Sequence, residues 1–333
     1  MTRTASEGRG SPHVLVLASD ALFAMFFPPP ILARLEEVAV WKRDAERDDS
    51  PELRAEIAKS DVLVTTWHSP FLRSEMIEGS AVRLIVHCGG ELEPRMEEAV
   101  LDRVTVVNTP EPMAAPVAEM ALAMALSLVR RLPHYQRAMR DGAVPDNRIA
   151  AENETLAGRR VGLVGFGRIG RAFARLIAPF AVDLVVSDPD CPIETAREHG
   201  AKMLPLDELL RSSSVVVLAA ALTEETRGLL DRRRLALLAD GACLVNVARG
   251  GLIDLPALIT ELRTGRITAA LDVTDPLEPL PVDHELRRLP NALLTPHVAA
   301  GGIEVRRAIG AAAVEEIVRF LHGERPRNIV TRV

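Results

Sequence analysis

Residues 160–171 read Arg-Val-Gly-Leu-Val-Gly-Phe-Gly-Arg-Ile-Gly-Arg. Gly165, Gly167 and Gly170 therefore form Gly-x-Gly-x-x-Gly between an apolar run and a helical pattern. Each glycine has a separate task. The first allows a tight turn, the second lets backbone approach a pyrophosphate, and the third lets the helix pack close to the strand. The helix that follows opens with free N–H groups and partial positive charge, which suits phosphate. The next apolar run, Val182–Ser187, ends at Asp188. A carboxylate about twenty residues beyond the glycines can accept both ribose hydroxyls of NAD, and it repels a 2′-phosphate. A glycine-rich turn that binds nothing is the bland alternative, and Asp188 by itself is only a turn former before Pro189. Strand, glycines, helix and acid in series point to a dinucleotide site with NAD as the cofactor.

These residues need a scaffold of strands and helices. With 333 residues the chain exceeds the roughly 250–300 at which one core stops growing, so two domains are expected. Apolar runs at His13–Ser19, Asp61–Thr66, Val82–His87 and Val104–Asn108 predict buried strands, with Ile31–Val38 a helix between the first two. A long amphipathic helix is predicted over Ala115–Arg140, stopped by Gly142, and a surface loop over Pro145–Glu154. A second alternation follows. Its strands are Arg160–Val164, Asp183–Ser187, Ser214–Leu218, Cys243–Asn246, Ala269–Asp272 and Ala292–Thr295, with helices at Ile169–Phe180 and Glu194–His199. Such alternation predicts parallel sheets covered by helices, in two α/β domains. The chain should pass between them near 110–120 and 296–303.

Further along, Pro116-Val117-Ala118-Glu119 opens the long helix, and Leu222-Thr223-Glu224-Glu225-Thr226 follows the glycine motif. Then come Val245-Asn246-Val247-Ala248-Arg249-Gly250-Gly251, Ala270-Leu271-Asp272-Val273 and Thr295-Pro296-His297. In this order, and together with the glycines, the chain resembles the D-isomer-specific 2-hydroxyacid dehydrogenase family from about Val14 to Pro326. The resemblance implies two doubly wound parallel-sheet domains. A Rossmann NAD-binding domain (115–298) would be inserted into a flavodoxin-like substrate domain (1–114 and 299–333). It implies an NAD-dependent oxidoreductase moving hydride between nicotinamide and a small 2-hydroxy or 2-keto acid. A catalytic arginine, acid and histidine would fall on Arg249, Glu278 and His297. A guanidinium suits a keto-acid carboxylate because it offers two parallel hydrogen bonds. A histidine suits the carbonyl oxygen, which takes a proton on reduction, and a carboxylate beside it orients the ring. The family usually reads Asp-Val-x-x-x-Glu-Pro, whereas residues 272–279 carry one extra residue. Aligning the Glu-Pro pair selects Glu278, with Asp275 as the alternative. Cofactor contacts are implied at Gly165, Gly167, Arg168, Ile169, Gly170, Asp188, Ala220, Thr226, Val247, Ala248, Asp272, His297 and Ala299. Asp272 would face the nicotinamide carboxamide.

The substrate side departs from the family. A Gly-x-Gly-x-Asp loop whose amides bind substrate is here Cys88-Gly89-Gly90-Glu91-Leu92-Glu93, with Gly89 and Gly90 as candidates beside the unusual acids Glu91 and Glu93. Met113 stands where asparagine is frequent, and Ala219-Ala220-Ala221 replaces a His-x-Pro pattern. Trp67 is a candidate for the substrate pocket or for simple packing. Neither Lys nor Arg lies between Val62 and Leu72, which argues against a phosphorylated substrate. Formate or phosphite oxidation and an NADH-sensing regulatory role are the alternative functions.

Composition narrows the rest. Net charge is −6 with 3% aromatic residues, so nucleic-acid binding is not expected. Three separated cysteines, Cys88, Cys191 and Cys243, suggest neither a disulfide framework nor a metal site, and fit a reducing cytoplasm. The longest strongly apolar helical run, Met120–Val129, is shorter than the ~20 residues a membrane span needs. A two-fold homodimer is expected from the family and is the commonest oligomer.

Overall fold

The computed structural model of the protein describes residues 11–90, 92, 95–142 and 153–331. Glu91, Glu93 and most of the expected 145–154 loop lie outside the described residues. The chain divides into two compact units. One is Met1–Met113 with Gly301–Val333, and the other is Ala114–Ala300.

The first unit is built on β1 (His13–Leu17), β2 (Val40–Asp44), β3 (Val62–Thr65), β4 (Leu84–His87) and β5 (Thr105–Asn108). All pairings are parallel, in the order β2-β1-β3-β4-β5. Strands buried on both faces read as continuous apolar runs, which is why β1, β3, β4 and β5 were legible. Along each of them alternate residues enter opposite cores: Val14, Val16, Val62 and Val64 on one face, Leu15, Leu17, Leu63 and Ile85 on the other. β2 reads Val-Trp-Lys-Arg-Asp, lies at the sheet edge without a buried residue, and was not expected. The helix Ile303–Leu321 covers the first face through Ile309, Ala313, Val314 and Ile317. It lies so close to the helix Asp20–Phe26 that a Cβ on Gly310 would stand 1.8 Å from the Phe26 carbonyl oxygen.

The second unit holds β6 (Arg160–Val164), β7 (Asp183–Ser187), β8 (Lys202–Met203), β9 (Val215–Leu218), β10 (Cys243–Asn246), β11 (Thr268–Leu271) and β12 (Ala292–Leu294). Their order is β12-β11-β10-β9-β6-β7-β8, again all parallel. β8, only two residues long, was also missed. The chain reverses its direction of travel across the sheet between β6 and β9. In an open α/β sheet that reversal leaves a crevice at the carboxyl ends of the strands, where ligands bind.

Two expectations need correction here. The single helix 115–140 is two, Glu111–Val129 and Leu132–Arg140. Arg131 between them takes a left-handed φ of 51°. Pro133 explains the break, because it has no N–H to give the Val129 carbonyl four residues back and its ring would clash with that carbonyl, while it is tolerated in the first turn of the new helix. The first helix is also longer than its most apolar run. Its 19 residues make it long and apolar enough, by length and composition, to cross a membrane. Here Val117, Ala121, Ala125 and Leu128 pack into the core around β6 and β9. A buried helix in a doubly wound domain has the same composition.

Candidate active site

Every residue singled out in the second unit follows the carboxyl end of a strand. Gly165 follows β6, Asp188 β7, Ala220 β9, Arg249 β10, Asp272 β11 and His297 β12. One edge of one sheet therefore carries them all.

The glycine turn has the form its spacing predicts. Gly165 has φ +92°, and a Cβ there would lie 2.5 Å from the Ala220 backbone. A Cβ on Gly170 would lie 2.4 Å from the Gly165 carbonyl oxygen, so helix and turn are in direct backbone contact. Gly167 caps the helix Arg168–Ile177 and has open space where a Cβ would be. Such a bare helix N-terminus fits a pyrophosphate. Asp188 accepts from the Phe166 amide at 2.6 Å and the Asp190 amide at 2.9 Å, which fixes its carboxylate beside the turn. Arg168 is exposed and Ile169 half-buried at the start of the helix. Thr226 folds the segment after Ala220, its hydroxyl donating to the Ala221 carbonyl at 2.7 Å.

After β10, the buried Asn246 shapes the turn that carries Arg249. Its side-chain amide donates to the Arg249 carbonyl (2.9 Å) and its oxygen accepts from the Ala248 amide (3.0 Å). Val247 and Ala248 are buried beneath that turn. Gly250 then lets the chain touch the loop after β11, since a Cβ would stand 2.2 Å from the Thr274 carbonyl carbon. That loop bears Glu278, whose Oε2 lies 2.7 Å from His297 Nδ1. Its Oε1 accepts from the Thr274 amide at 3.1 Å. Of the two candidate acids, Glu278 is the one hydrogen-bonded to the histidine. With Nδ1 committed to the carboxylate, Nε2 is the nitrogen left to give or take a proton.

His297 has φ +54°, a region a non-glycine residue rarely occupies. Its amide donates to the Asp272 carbonyl at 2.8 Å. The Asp272 carboxylate, 1% exposed, accepts from the Thr295 hydroxyl (2.5 Å) and the Val298 and Ala299 amides (both 2.9 Å). Asp272 thus grips both sides of His297, a positioning role not foreseen from the sequence.

In the first unit, Trp67 and His68 follow β3, and Gly89 and Gly90 follow β4. The Gly89 N–H, a candidate substrate contact, donates to the His87 carbonyl at 2.9 Å. The glycine is needed for packing, because a Cβ would lie 2.6 Å from His87 Nε2. The Gly90 carbonyl accepts from Asn108 Nδ2 at 2.6 Å. His87 is fully buried and meets the Thr65 hydroxyl at 2.9 Å through Nδ1. Burial, with the Arg95 charge adding to it, holds its pKa down to about 4.

Residues 122–299 match the model of the D-isomer specific 2-hydroxyacid dehydrogenase NAD-binding domain. A glyoxylate reductase from Thermococcus onnurineus is 33% identical over 305 residues, which cover 89% of this chain and 90% of that protein. The chain belongs to the D-isomer-specific 2-hydroxyacid dehydrogenases. A hydroxypyruvate reductase from Thermotoga maritima is 33% identical over 87% of the chain and 94% of its own length. The NAD-dependent formate dehydrogenase of Staphylococcus aureus, solved with NAD, superposes with a TM-score of 0.75 at 25% identity, over 96% and 99% of the two chains. This dehydrogenase is accordingly an NAD-dependent oxidoreductase of hydroxy and keto acids.

Other surroundings of the dehydrogenase's candidate residues were also missed. No basic residue was expected beside Trp67, yet two arginines reach it from elsewhere in the chain. Arg306 lies 4.2 Å from the Trp67 ring centroid, and Arg95 donates to the Trp67 carbonyl at 3.1 Å. Arg306 and Arg95 thus supply basic side chains that residues 62–72 lack.

Proposed function

We propose that the enzyme reduces a small 2-keto acid of the glyoxylate or hydroxypyruvate kind to the D-2-hydroxy acid, and runs the reverse oxidation. The single observation that carries this reading is the 2.7 Å pair of His297 Nδ1 and Glu278 Oε2 on the strand edge that also bears the glycine turn. The Gly165–Gly170 turn and Asp188 would hold NAD, with pyrophosphate at the turn and ribose at the acid. Bound NADH supplies the hydride. Arg249 holds the substrate carboxylate through two parallel hydrogen bonds and draws charge toward the ketone oxygen. His297 delivers the proton that this oxygen takes up, and Glu278 keeps the ring turned so that Nε2 makes the delivery. In the oxidising direction the neutral ring takes the hydroxyl proton. Asp272 fixes the backbone that presents the ring.

We further infer a two-fold homodimer, the commonest oligomer, and a reducing, cytoplasmic setting, which three widely separated cysteines fit. The function is tested with purified enzyme and NADH against glyoxylate, hydroxypyruvate, pyruvate and 2-ketoglutarate, followed by loss of absorbance. Turnover with at least one keto acid, lost in His297→Ala, is expected. Turnover of formate with NAD and of no keto acid would replace this reading.

A further inference from the structure

Arg306 sits in the first turn of the helix Ile303–Leu321, and its guanidinium lies over the Trp67 ring. Phe26 backs the tryptophan at 5.5 Å between centroids. An arginine stacked on an aromatic face is held in place while its N–H edge stays free to bind. Here that edge is unused. Arg306 Nη1 is buried and has no hydrogen-bond partner among the described residues, and no carboxylate among them acts on it. Desolvation lowers the pKa of this group, and no counter-charge among the described residues offsets it. A guanidinium cannot shed its proton to escape that cost. A half-buried charge whose buried nitrogen lacks a partner is an arrangement folding disfavours, so its presence points to a partner that arrives from outside.

The surroundings favour an anion as that partner. Arg95 brings a second guanidinium to the Trp67 carbonyl, and the nearby His87 is neutral above about pH 4 and brings no negative charge. Trp67 follows β3, where the strand order of this sheet turns back on β1. Ligands of open α/β sheets bind at such a point, beyond the carboxyl ends of the strands.

We propose that Arg306, laid on Trp67, is a binding site for a small oxyanion, a carboxylate or a phosphate, in the unit built on β1–β5. This goes beyond the proposed reaction and does not depend on it, because binding can be read without turnover. The chain has two tryptophans, so Trp41→Phe leaves Trp67 as the only one. In that background oxalate and, separately, inorganic phosphate are titrated at constant ionic strength while Trp67 emission is followed. At least one anion should give a saturable change, with Kd raised 10-fold or more in Arg306→Gln. Arg306→Lys keeps a cation but loses the planar fork, and should weaken binding with the fold retained by circular dichroism.

The two titrations then assign the source. If the site takes a carboxylate, oxalate saturates it and phosphate does not. If it takes phosphate, only phosphate saturates and KM for the keto acid is unchanged. Either result supports the site. No saturable response to either anion, as when a water molecule completes the guanidinium, overturns it. Equal Kd in Arg306→Gln and its parent does the same.

Discussion

Asp272 offers the sharpest test of how His297 is held. Its carboxylate takes one hydroxyl and two amide hydrogens from the segment Thr295–Ala299, and its own carbonyl takes the His297 amide. His297 is held at φ +54° between those bonds, a conformation that costs a non-glycine residue about 1–2 kcal/mol. A hydrogen bond to a charged group contributes about 1.5–3 kcal/mol, and a buried donor left bare costs about 1–3 kcal/mol. Asp272→Ala strands three donors and should cost on the order of 4 kcal/mol. Asp272→Asn keeps one acceptor oxygen but turns an NH₂ toward the remaining donor, a loss of about 2 kcal/mol. That exceeds what the left-handed residue needs to relax. For a domain of this size such a loss lowers Tm by roughly 4–8 °C. The asparagine variant should therefore lose about 10–100-fold in kcat, a part of the 10²–10⁴ that proton transfer contributes. Hydrogen exchange at Val298 and Ala299 should quicken, and the Kd for NADH, read by fluorescence titration, should stay within about 3-fold. The competing role is a cofactor contact. Unchanged exchange at those two amides, with NADH affinity down 10-fold or more, would refute the positioning argument in favour of that contact.

Glu278→Gln should lower kcat for keto-acid reduction by at least 10-fold through lost orientation of His297, whereas Asp275→Asn should stay within about 3-fold; the reverse order in steady-state assays would transfer the role to Asp275. Arg249→Lys keeps the charge but not the bidentate fork, so keto-acid kcat/KM should fall 10²-fold or more with NADH binding intact, as titration would show. Asp188→Ala should weaken NADH and narrow the preference over NADPH, and an unchanged NADH-to-NADPH ratio of kcat/KM would count against the ribose assignment. His87, at about pKa 4 in the fold against 6.5 when free, is neutral in the native state and takes up a proton on unfolding between those values. Its contribution is complete above pH 6.5 and is lost as pH falls toward 4, on the order of 3 kcal/mol, so urea midpoints measured from pH 7.5 to 4 should fall less steeply in His87→Asn than in the parent.

What could be read before the fold was known follows from how far apart in the chain the cooperating residues lie. β1, β3, β4, β6, β9 and β10 are buried on both faces and announce themselves as apolar runs. β2 carries Lys42, Arg43 and Asp44 at an edge, and β8 is two residues long, so neither had a pattern to find. The helix break did have a signal, Pro133 after a pair of arginines, which the amphipathic period outweighed. The glycine turn and Asp188 were legible because one βαβ unit holds them and their spacing is the chemistry. The choice between Glu278 and Asp275 was not, because one inserted residue shifts a loop without shifting its motif, and only the path of the loop decides which carboxylate meets His297. Asp272 was visible as a residue but not as a clamp, since its partners follow the next strand. Arg306 is the extreme case. It stands beside Trp67 only because the C-terminal helix returns to cover the first sheet, with Gly310 against Phe26 setting how closely. A charge delivered by topology is absent from every local window: residues 62–72 hold no Lys or Arg, and the fold lays a guanidinium over Trp67.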